Sequence, residues 1–364
     1  MAQSHFISII KSIFVILTAL LTLATIFATY YGDALPSQSY WESLFGMVLP
    51  LLLVACLAAA LVWLFIDKRI SLLALAGFIG SWPYLTTVFQ FGSGLDEEEL
   101  AEKKDKMLTI ATFNVAKFGH ELTGYSCREI GRLMAEQQVD VLCFQECGDN
   151  HAFTHDSIDA ALSHWPYHYR PDKETLDKKL AMSIYSRYPM SNSRYIEFED
   201  TANGALASDI TYDNKTIRLF NCHLQTTNVS QKRSTWQREL ASNDTRREAK
   251  MVEDAAETLY RNFVRREQQT QLILEEIENS PHPVILCGDL NSIPSSYTYS
   301  ALADKLEDGF RTAGHGYMYS YRYGKRLIRI DYIFHDPGLK AIDYFSPDWE
   351  LCSDHNPVIL RIAK

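Results

Sequence analysis

The sequence predicts an α/β protein in two parts: apolar N-terminal helices of membrane-spanning length, then an α/β sandwich of mixed β-sheets. Three observations carry this. Only six charged side chains occur before Asp96 (Lys11, Asp33, Glu42, Asp67, Lys68 and Arg69), in a chain of 364 residues with 35 basic and 45 acidic side chains. After that point, short apolar runs repeatedly end in a carboxylate, an amide or an imidazole. These runs mix with helical patterns without strict strand–helix alternation, which argues for mixed sheets and against a doubly wound parallel sheet.

The N-terminal part holds three uncharged stretches, Ser12 to Gly32, Ser43 to Ile66 and Ile70 to Leu95. Each reaches the roughly 20 residues that a helix needs to cross a bilayer. Gly77, Gly80 and Pro83 interrupt the third, which could therefore be re-entrant. The first loop carries Asp33 and Glu42 and no basic residue; the second carries Lys68 and Arg69, and Lys11 precedes the first helix. The positive-inside rule then places the N-terminus and second loop in the cytoplasm. With three spans, everything after Leu95 lies on the other side. The expected organisation is a multi-pass membrane anchor of three helices over residues 1–95, a charged linker over 96–106 and a second domain over 107–364, extracytoplasmic if the third stretch spans.

In the soluble part, Leu108 to Phe113 reads as a strand ending at Asn114. Arg128 to Gln138 has helical spacing, with Ile130, Leu133 and Met134 on one face. Val139 to Gln145 reads as a strand ending at Glu146, Ala181 to Tyr185 as a short strand, and Thr216 to Cys222 as a strand ending at His223. A polar stretch with Arg233, Arg238, Arg246 and Arg247 leads into a helix over Met251 to Ile277, which Pro281 and Pro283 stop. Val284 to Leu286 then runs into Cys287-Gly288-Asp289-Leu290-Asn291. Tyr299 to Leu306 suits a short helix and Leu327 to Phe334 a strand containing Asp331. Ser353-Asp354-His355 precedes a last strand from Val358. Tyr317, Tyr319, Tyr321 and Tyr323 alternate like a strand face or hairpin.

The formal net charge of −10 belongs to residues 96–364, because the first 95 are balanced. A nonspecific nucleic-acid binder needs a basic surplus to displace counterions, so nucleic acid is disfavoured as a partner. No protein partner is inferred. Seven cysteines show no metal-finger spacing. Cys143, Cys222 and Cys287 fall inside strands as buried thiols, which sits awkwardly with an oxidising compartment.

Asn114, Glu146, His223, Asp289, Asn291, Asp331, Asp354 and His355 lie mostly at strand ends, where distant segments can meet along one sheet edge. The set offers oxygen ligands for a hard divalent cation, amides for phosphate oxygens and two histidines for proton transfer. Taken singly, Asn114 could cap a turn, His223 could be a core histidine, and Asp289 with Asn291 could form an Asx-turn. Asp331, between Ile330 and Tyr332, demands a partner if buried, and His355 is the natural one.

The ordered motifs TFNV, CFQE, CHLQ, CGDLN, RIDYIF and SDHNPV resemble those of the endonuclease/exonuclease/phosphatase superfamily, from about Leu108 to Ala363. The resemblance implies a four-layer α/β sandwich, two β-sheets flanked by helices, with the site at one edge. It implies Mg²⁺ (Mn²⁺ as alternative) on Glu146, with Asn114 beside it and Asp354 as a further metal-side ligand. It makes Asp289 the carboxylate that orients or deprotonates water, Asn291 a phosphate-holding amide, and His223 an aid to the leaving group or phosphate. His355 becomes the catalytic histidine and Asp331 the carboxylate that fixes its tautomer. Many nuclease members carry an acid where this chain has Ala116, so a second metal at that point is not implied. The expected activity is metal-dependent phosphoester hydrolysis at a membrane, on a lipid headgroup or small phosphoester. The alternatives are a nuclease and a non-catalytic membrane module of the same fold.

Overall fold

In the computed structural model, the chain is described over residues 2–363 except 97, 100, 101, 103–105, 173, 176, 228–244 and 324. Arg233 and Arg238, and the side chains of Arg246 and Arg247, lie outside the described residues. The chain divides into two compact units, Met1–Val88 with Ile293–Ser300, and Phe89–Ser292 with Ala301–Lys364.

The first unit contains α1 (Ala2–Tyr31), α2 (Tyr40–Ile66), α3 (Lys68–Gly80) and α4 (Trp82–Val88). Helices α1 and α2 are long and apolar enough to cross a membrane. They turn Phe14, Leu17, Leu20, Leu51, Val54 and Leu61 outward, the reverse of a water-soluble helix. Helices α3 and α4 pass the same test only as a pair, bent by 60° at Ser81 and Trp82. The predicted third stretch is thus a broken helix, stopping where Gly80 and Pro83 weaken the ladder. Small and hydroxylic residues fill the helix contacts, as in membrane bundles. Trp63 Nε1 donates to Thr18 Oγ1 at 2.9 Å, and Ser71 Oγ to the Ala60 carbonyl at 2.7 Å. Lys11 Nζ meets Asp67 Oδ2 at 2.8 Å. Gly46 approaches Gly32 and the Ser295 carbonyl so closely that a Cβ there would lie 2.6 Å from the Ser295 oxygen.

The second unit runs β1 (Phe89–Gln90), β2 (Met107–Asn114), α5 (Tyr125–Glu136), β3 (Val141–Gln145), α6 (His155–Ala161), β4 (Tyr167–Tyr169), β5 (Met182–Ser186), β6 (Met190–Glu197), β7 (Gly204–Tyr212), β8 (Lys215–His223), α7 (Thr245–Glu278), β9 (Val284–Asp289), α8 (Tyr297–Ala303), β10 (Glu307–Asp308), α9 (Gly309–Ala313), β11 (Gly316–Tyr317), β12 (Asp331–His335), β13 (Ala341–Phe345) and β14 (Val358–Ala363). Helix α8 begins in the segment grouped with the first unit. Two six-stranded sheets form, ordered β13-β14-β2-β3-β5-β4 and β10-β12-β9-β8-β7-β6. Each mixes parallel and antiparallel pairs: β2 with β3 and β8 with β9 are parallel, and the rest antiparallel. This is the predicted α/β sandwich of mixed sheets flanked by helices.

Strand alternation explains where the site falls. Leu108 and Ile110 of β2, Val141 and Cys143 of β3, Leu219 of β8, Ile285 and Cys287 of β9 and Ile333 of β12 share the core between the sheets. Ala111, Phe113, Leu142 and Phe144 point the other way and pack with Ile130, Met134 and Ile158 of α5 and α6. Continuing each inward series by twos gives Thr112 and Asn114, Gln145, Asn221 and His223, Asp289, and back to Asp331. The inter-sheet space is therefore apolar along most of its length and turns polar at one end. Several strands differ from expectation. Strands β4, β6, β7, β10 and β13 are not predicted, β1 falls within the third apolar stretch, and β12 begins at Asp331, not Leu327.

Candidate active site

Register sets the first layer of the site. His223 pairs with Asp289 between β8 and β9, and Asp289 pairs with Asp331 between β9 and β12. Three chemistry-bearing residues thus stand in a row on one sheet. Facing them, Asn114 closes β2 beside Gln145 of β3, and Glu146 follows directly. Asn114 Nδ2 donates to Asp289 Oδ2 at 3.1 Å and to Glu146 Oε1 at 3.4 Å, tying the two sheets together. Its Oδ1 accepts from the Ala116 N–H at 3.1 Å.

His223 Nε2 lies 3.5 Å from Asp289 Oδ2 and 3.9 Å from Glu146 Oε1, and its Nδ1 is buried with no partner. His355 Nδ1 sits 2.9 Å from Asp331 Oδ2 and 3.1 Å from Oδ1. That contact leaves Nε2 facing Asp289 Oδ2 at 3.8 Å and Asp354 Oδ1 at 3.9 Å. The Tyr321 ring meets the His355 ring edge-on with centroids 5.2 Å apart, so one member of the alternating tyrosines packs on the site. Asn291 makes an Asx-turn, its N–H donating to Asp289 Oδ1 at 2.9 Å, while its Nδ2 donates to the Leu224 carbonyl at 2.9 Å. Its amide nitrogen is thereby committed to the backbone.

Of the eight residues singled out from the sequence, Asn114, Glu146, His223, Asp289, Asp331 and His355 converge. Among the described residues, Asp354 approaches the cluster at His355 Nε2, and Asn291 lies beside it. Among the described residues, Asp289, Asp331 and His355 form a buried group whose ligand-capable atoms all lie within 4.8 Å of one another. This differs from the set expected to hold metal, Asn114, Glu146 and Asp354. Within that group, Asp331 and His355 also engage each other directly. The donor chemistry fits a hard divalent ion, which takes oxygen ligands such as the Glu146 and Asp289 carboxylates that Asn114 Nδ2 bridges. As placed, Asn114 turns its NH₂ toward two carboxylates, and turning its oxygen there instead would set the NH₂ against the Ala116 N–H.

Backbone strain accompanies the site. Glu146 and Asn291 adopt left-handed φ of 52° and 49°, and Ala116, Lys117, Phe118, Gly119 and His120 do so consecutively. Such conformations cost roughly 1–3 kcal/mol each for non-glycine residues and persist where surroundings impose them. Here Lys117 N donates to the Glu146 carbonyl at 2.9 Å, locking the two turns together. Gly288 is required outright: at φ +135°, a Cβ would lie 1.9 Å from the Cys222 carbonyl oxygen.

Burial and charge oppose each other in this cluster. Burial works against charging His355, but Asp331 and Asp289 outweigh it and push the imidazole up to about 10. Burial pulls His223 below its ordinary value, with Asp289 only partly compensating. Burial raises the Asp289 carboxyl, His355 opposes that, and Asp331 adds to it.

Sequence reasoning missed the layer beneath. Gln145 Nε2 donates to Asn221 Oδ1 at 2.6 Å and to Thr112 Oγ1 at 2.9 Å. Asn221 Nδ2 donates to the Phe144 and Ser183 carbonyls, each at 3.1 Å. These fully buried amides cross-link the sheets directly under Glu146 and His223. Their signal was an amide one or two places before a site residue in an otherwise apolar strand. Ser353 was also passed over; its Oγ donates to the Asn114 carbonyl at 2.6 Å and accepts the His355 N–H at 3.0 Å. Helix α7 pins the loop after His223: Asn262 Nδ2 donates to the Thr227 carbonyl at 3.2 Å, buried Arg266 Nη1 to the Gln225 carbonyl at 2.7 Å, and Gln269 Oε1 accepts the Gln225 N–H at 2.8 Å.

A mixed two-sheet sandwich thus brings carboxylates, an amide and two histidines together at one inter-sheet edge. Residues 111–355 match the Endonuclease/Exonuclease/phosphatase family, and the chain belongs to it. Members of this superfamily are generally metal-dependent hydrolases of phosphoester bonds. Residues 11–88 match a family described as a Domain of unknown function (DUF8431). No curated protein matches the chain. Among solved structures, an endonuclease/exonuclease/phosphatase from Bacteroides vulgatus aligns at 15% identity and TM-score 0.50, covering 70% of this chain and 98% of that one. Humanized TDP2 of D. rerio aligns at 17% identity and TM-score 0.48, over 71% of this chain and 100% of that one. The human Nocturnin catalytic domain with bound sulfate aligns at 14% identity and TM-score 0.47, over 71% and 94%.

Proposed function

We propose that this protein is a Mg²⁺-dependent phosphoester hydrolase tethered to a membrane, acting on a lipid headgroup or another small phosphoester. The observation that carries the reading is the meeting of Asn114, Glu146, His223, Asp289 and His355 at one inter-sheet edge, with Asp331 behind His355. Glu146 would hold the cation, with Asp354 as a further ligand. When bound, the ion supplies Lewis-acid polarisation of the phosphoryl group and charge stabilisation on the leaving oxygen.

The chain's own groups do the rest. Asp289, held by Asn114 and the Asn291 N–H, orients the attacking water and accepts its proton. Asp331 fixes the His355 tautomer by accepting from Nδ1, which leaves Nε2 for a phosphoryl oxygen or for proton transfer. His223, kept neutral by burial, donates a hydrogen bond to a phosphate oxygen without adding a full charge. The buried Gln145 and Asn221 layer holds these groups in place before substrate arrives.

The membrane tether rests on α1 and α2, with their outward Leu, Ile and Phe side chains. The Lys11–Asp67 pair supports placing the N-terminus and the α2–α3 junction on one side of the bilayer, the cytoplasmic side by the charge rule. A net charge of −10 favours a small or lipid substrate over nucleic acid. The test is a Mg²⁺-dependent activity screen of the full chain in lipid nanodiscs. It spans phospholipids, sphingolipids, inositol phosphates and nucleic acids, with Asp289→Asn as control. Hydrolysis that ignores chelator or survives Asp289→Asn would refute the assignment, and preference for nucleic acid would replace the substrate class.

A further inference from the structure

Strand β1 is two residues long and pairs antiparallel with β11, Phe89 opposite Tyr317 and Gln90 opposite Gly316. The large rings on and beside this ribbon face outward. Phe89 is 41% exposed, Phe91 80% and Tyr317 46%. The Phe89 and Phe91 rings pack edge-on with centroids 5.0 Å apart, so together they form a single apolar knob. A large side chain left in water forgoes roughly 1.5–3 kcal/mol of burial, and two adjacent phenylalanines with a tyrosine across the ladder call for a cover.

The chain's own connectivity names that cover. Phe89 follows Val88, the end of the bent apolar pair α3–α4, by one peptide bond. At about 3.5 Å per extended residue, Phe91 lies within roughly 10 Å of that helix end along the chain. That distance is comparable to the headgroup layer on one side of a bilayer. The sequence also stays free of charge from Ile70 through Leu95, past the helix end, and the first ionisable side chain is Asp96. Tyr317 has the amphipathic ring that the membrane–water interface selects, its body at the acyl boundary and its hydroxyl wet, and the two phenylalanines add apolar surface beside it.

We propose that the β1–β11 ribbon is a lipid-binding element, with Phe89, Phe91 and Tyr317 seated in the headgroup layer of the bilayer. The inference rests on the membrane reading above. Its consequence is specific: because Tyr317 belongs to the hydrolase fold and not to the anchor, that fold touches the lipid surface directly and is not merely suspended from a linker.

The test places an environment-sensitive NBD fluorophore through Phe91→Cys in the full chain, reconstituted in phosphatidylcholine nanodiscs, with the unsubstituted chain labelled in parallel. Tyr317→Cys provides a second position on the partner strand, and Leu57→Cys in α2 reports the anchor itself. The expected result is blue-shifted emission at 91 and 317 that shallow nitroxide lipids quench more than deep ones do, with deep quenching at 57. Aqueous emission at 91 and 317, quenched by iodide, together with lipid quenching at 57, would overturn the ribbon proposal and leave the tether intact. Aqueous emission at all three positions would overturn both.

Discussion

Asp331→Asn isolates the electrostatic role of one buried carboxylate. The substitution keeps the shape of the side chain and removes its charge at a fully buried position 2.9 Å from His355 Nδ1. At an effective interior dielectric of about 20, unit charges about 3–4 Å apart interact by roughly 4–6 kcal/mol, or roughly 3–4 pK units. That is the scale of the displacement of His355 to about 10. Without Asp331, burial and the remaining Asp289 set the balance, and the imidazole should titrate near or below its ordinary value. The measurement is the His355 ring-proton NMR shift against pH in the cation-free protein, with a thermal melt to confirm folding. Hydrolysis of a chromogenic phosphodiester should fall by roughly 10²–10⁴, the usual worth of a positioned acid–base group. A His355 titration that stays within about one unit of the parent would refute the reasoning.

Four further outcomes follow from the same geometry. Glu146→Gln should weaken Mg²⁺ binding by at least about tenfold in calorimetry, since loss of even an outer-shell partner has that effect; unchanged affinity would move the cation elsewhere. Gly288→Ala should destabilise the fold by about 3 kcal/mol or more, from a blocked Cβ and a conformation L-residues avoid, and a parental melting temperature would contradict the register of β8 and β9. In the cation-free protein, His355 has a folded-state pKa above its unfolded value. Its stabilisation is therefore complete below about pH 6.5 and is lost as pH rises towards 10. The melting temperature should accordingly decline across that window, and less so in Asp331→Asn. All seven cysteines are free, so reducing agent should leave the melting temperature unchanged; a drop would reveal a disulfide.

Much of the fold was legible because its signals are local. Runs such as Val284 to Leu286 and Leu108 to Phe113 are apolar on both faces, which marks strands buried between a second sheet and a helix layer. The strands that escaped are different in kind. Strand β6 is an edge strand with alternating exposure, and β7 carries Gly204, Ala205, Ala207, Ser208 and Asp209, a composition that reads as loop until its neighbours are known. Residues Leu327 to Ile330 looked like the start of a strand, yet ladder pairing begins only at Asp331, opposite Asp289.

The sequence by itself determined the family, the mixed sandwich, the apolar N-terminal helices and the identities of the groups that converge, because each is written in a motif or a run of apolar residues. Tertiary structure alone decided which atoms of those groups meet. Whether Asn114 offers nitrogen or oxygen, whether Asn291 faces substrate or the Leu224 carbonyl, and that Gln145 and Asn221 cross-link the sheets beneath the site all depend on inter-sheet register and on contacts between residues far apart along the chain. Local patterning fixes which face a side chain occupies, but only the packing of one sheet on the other fixes its partner.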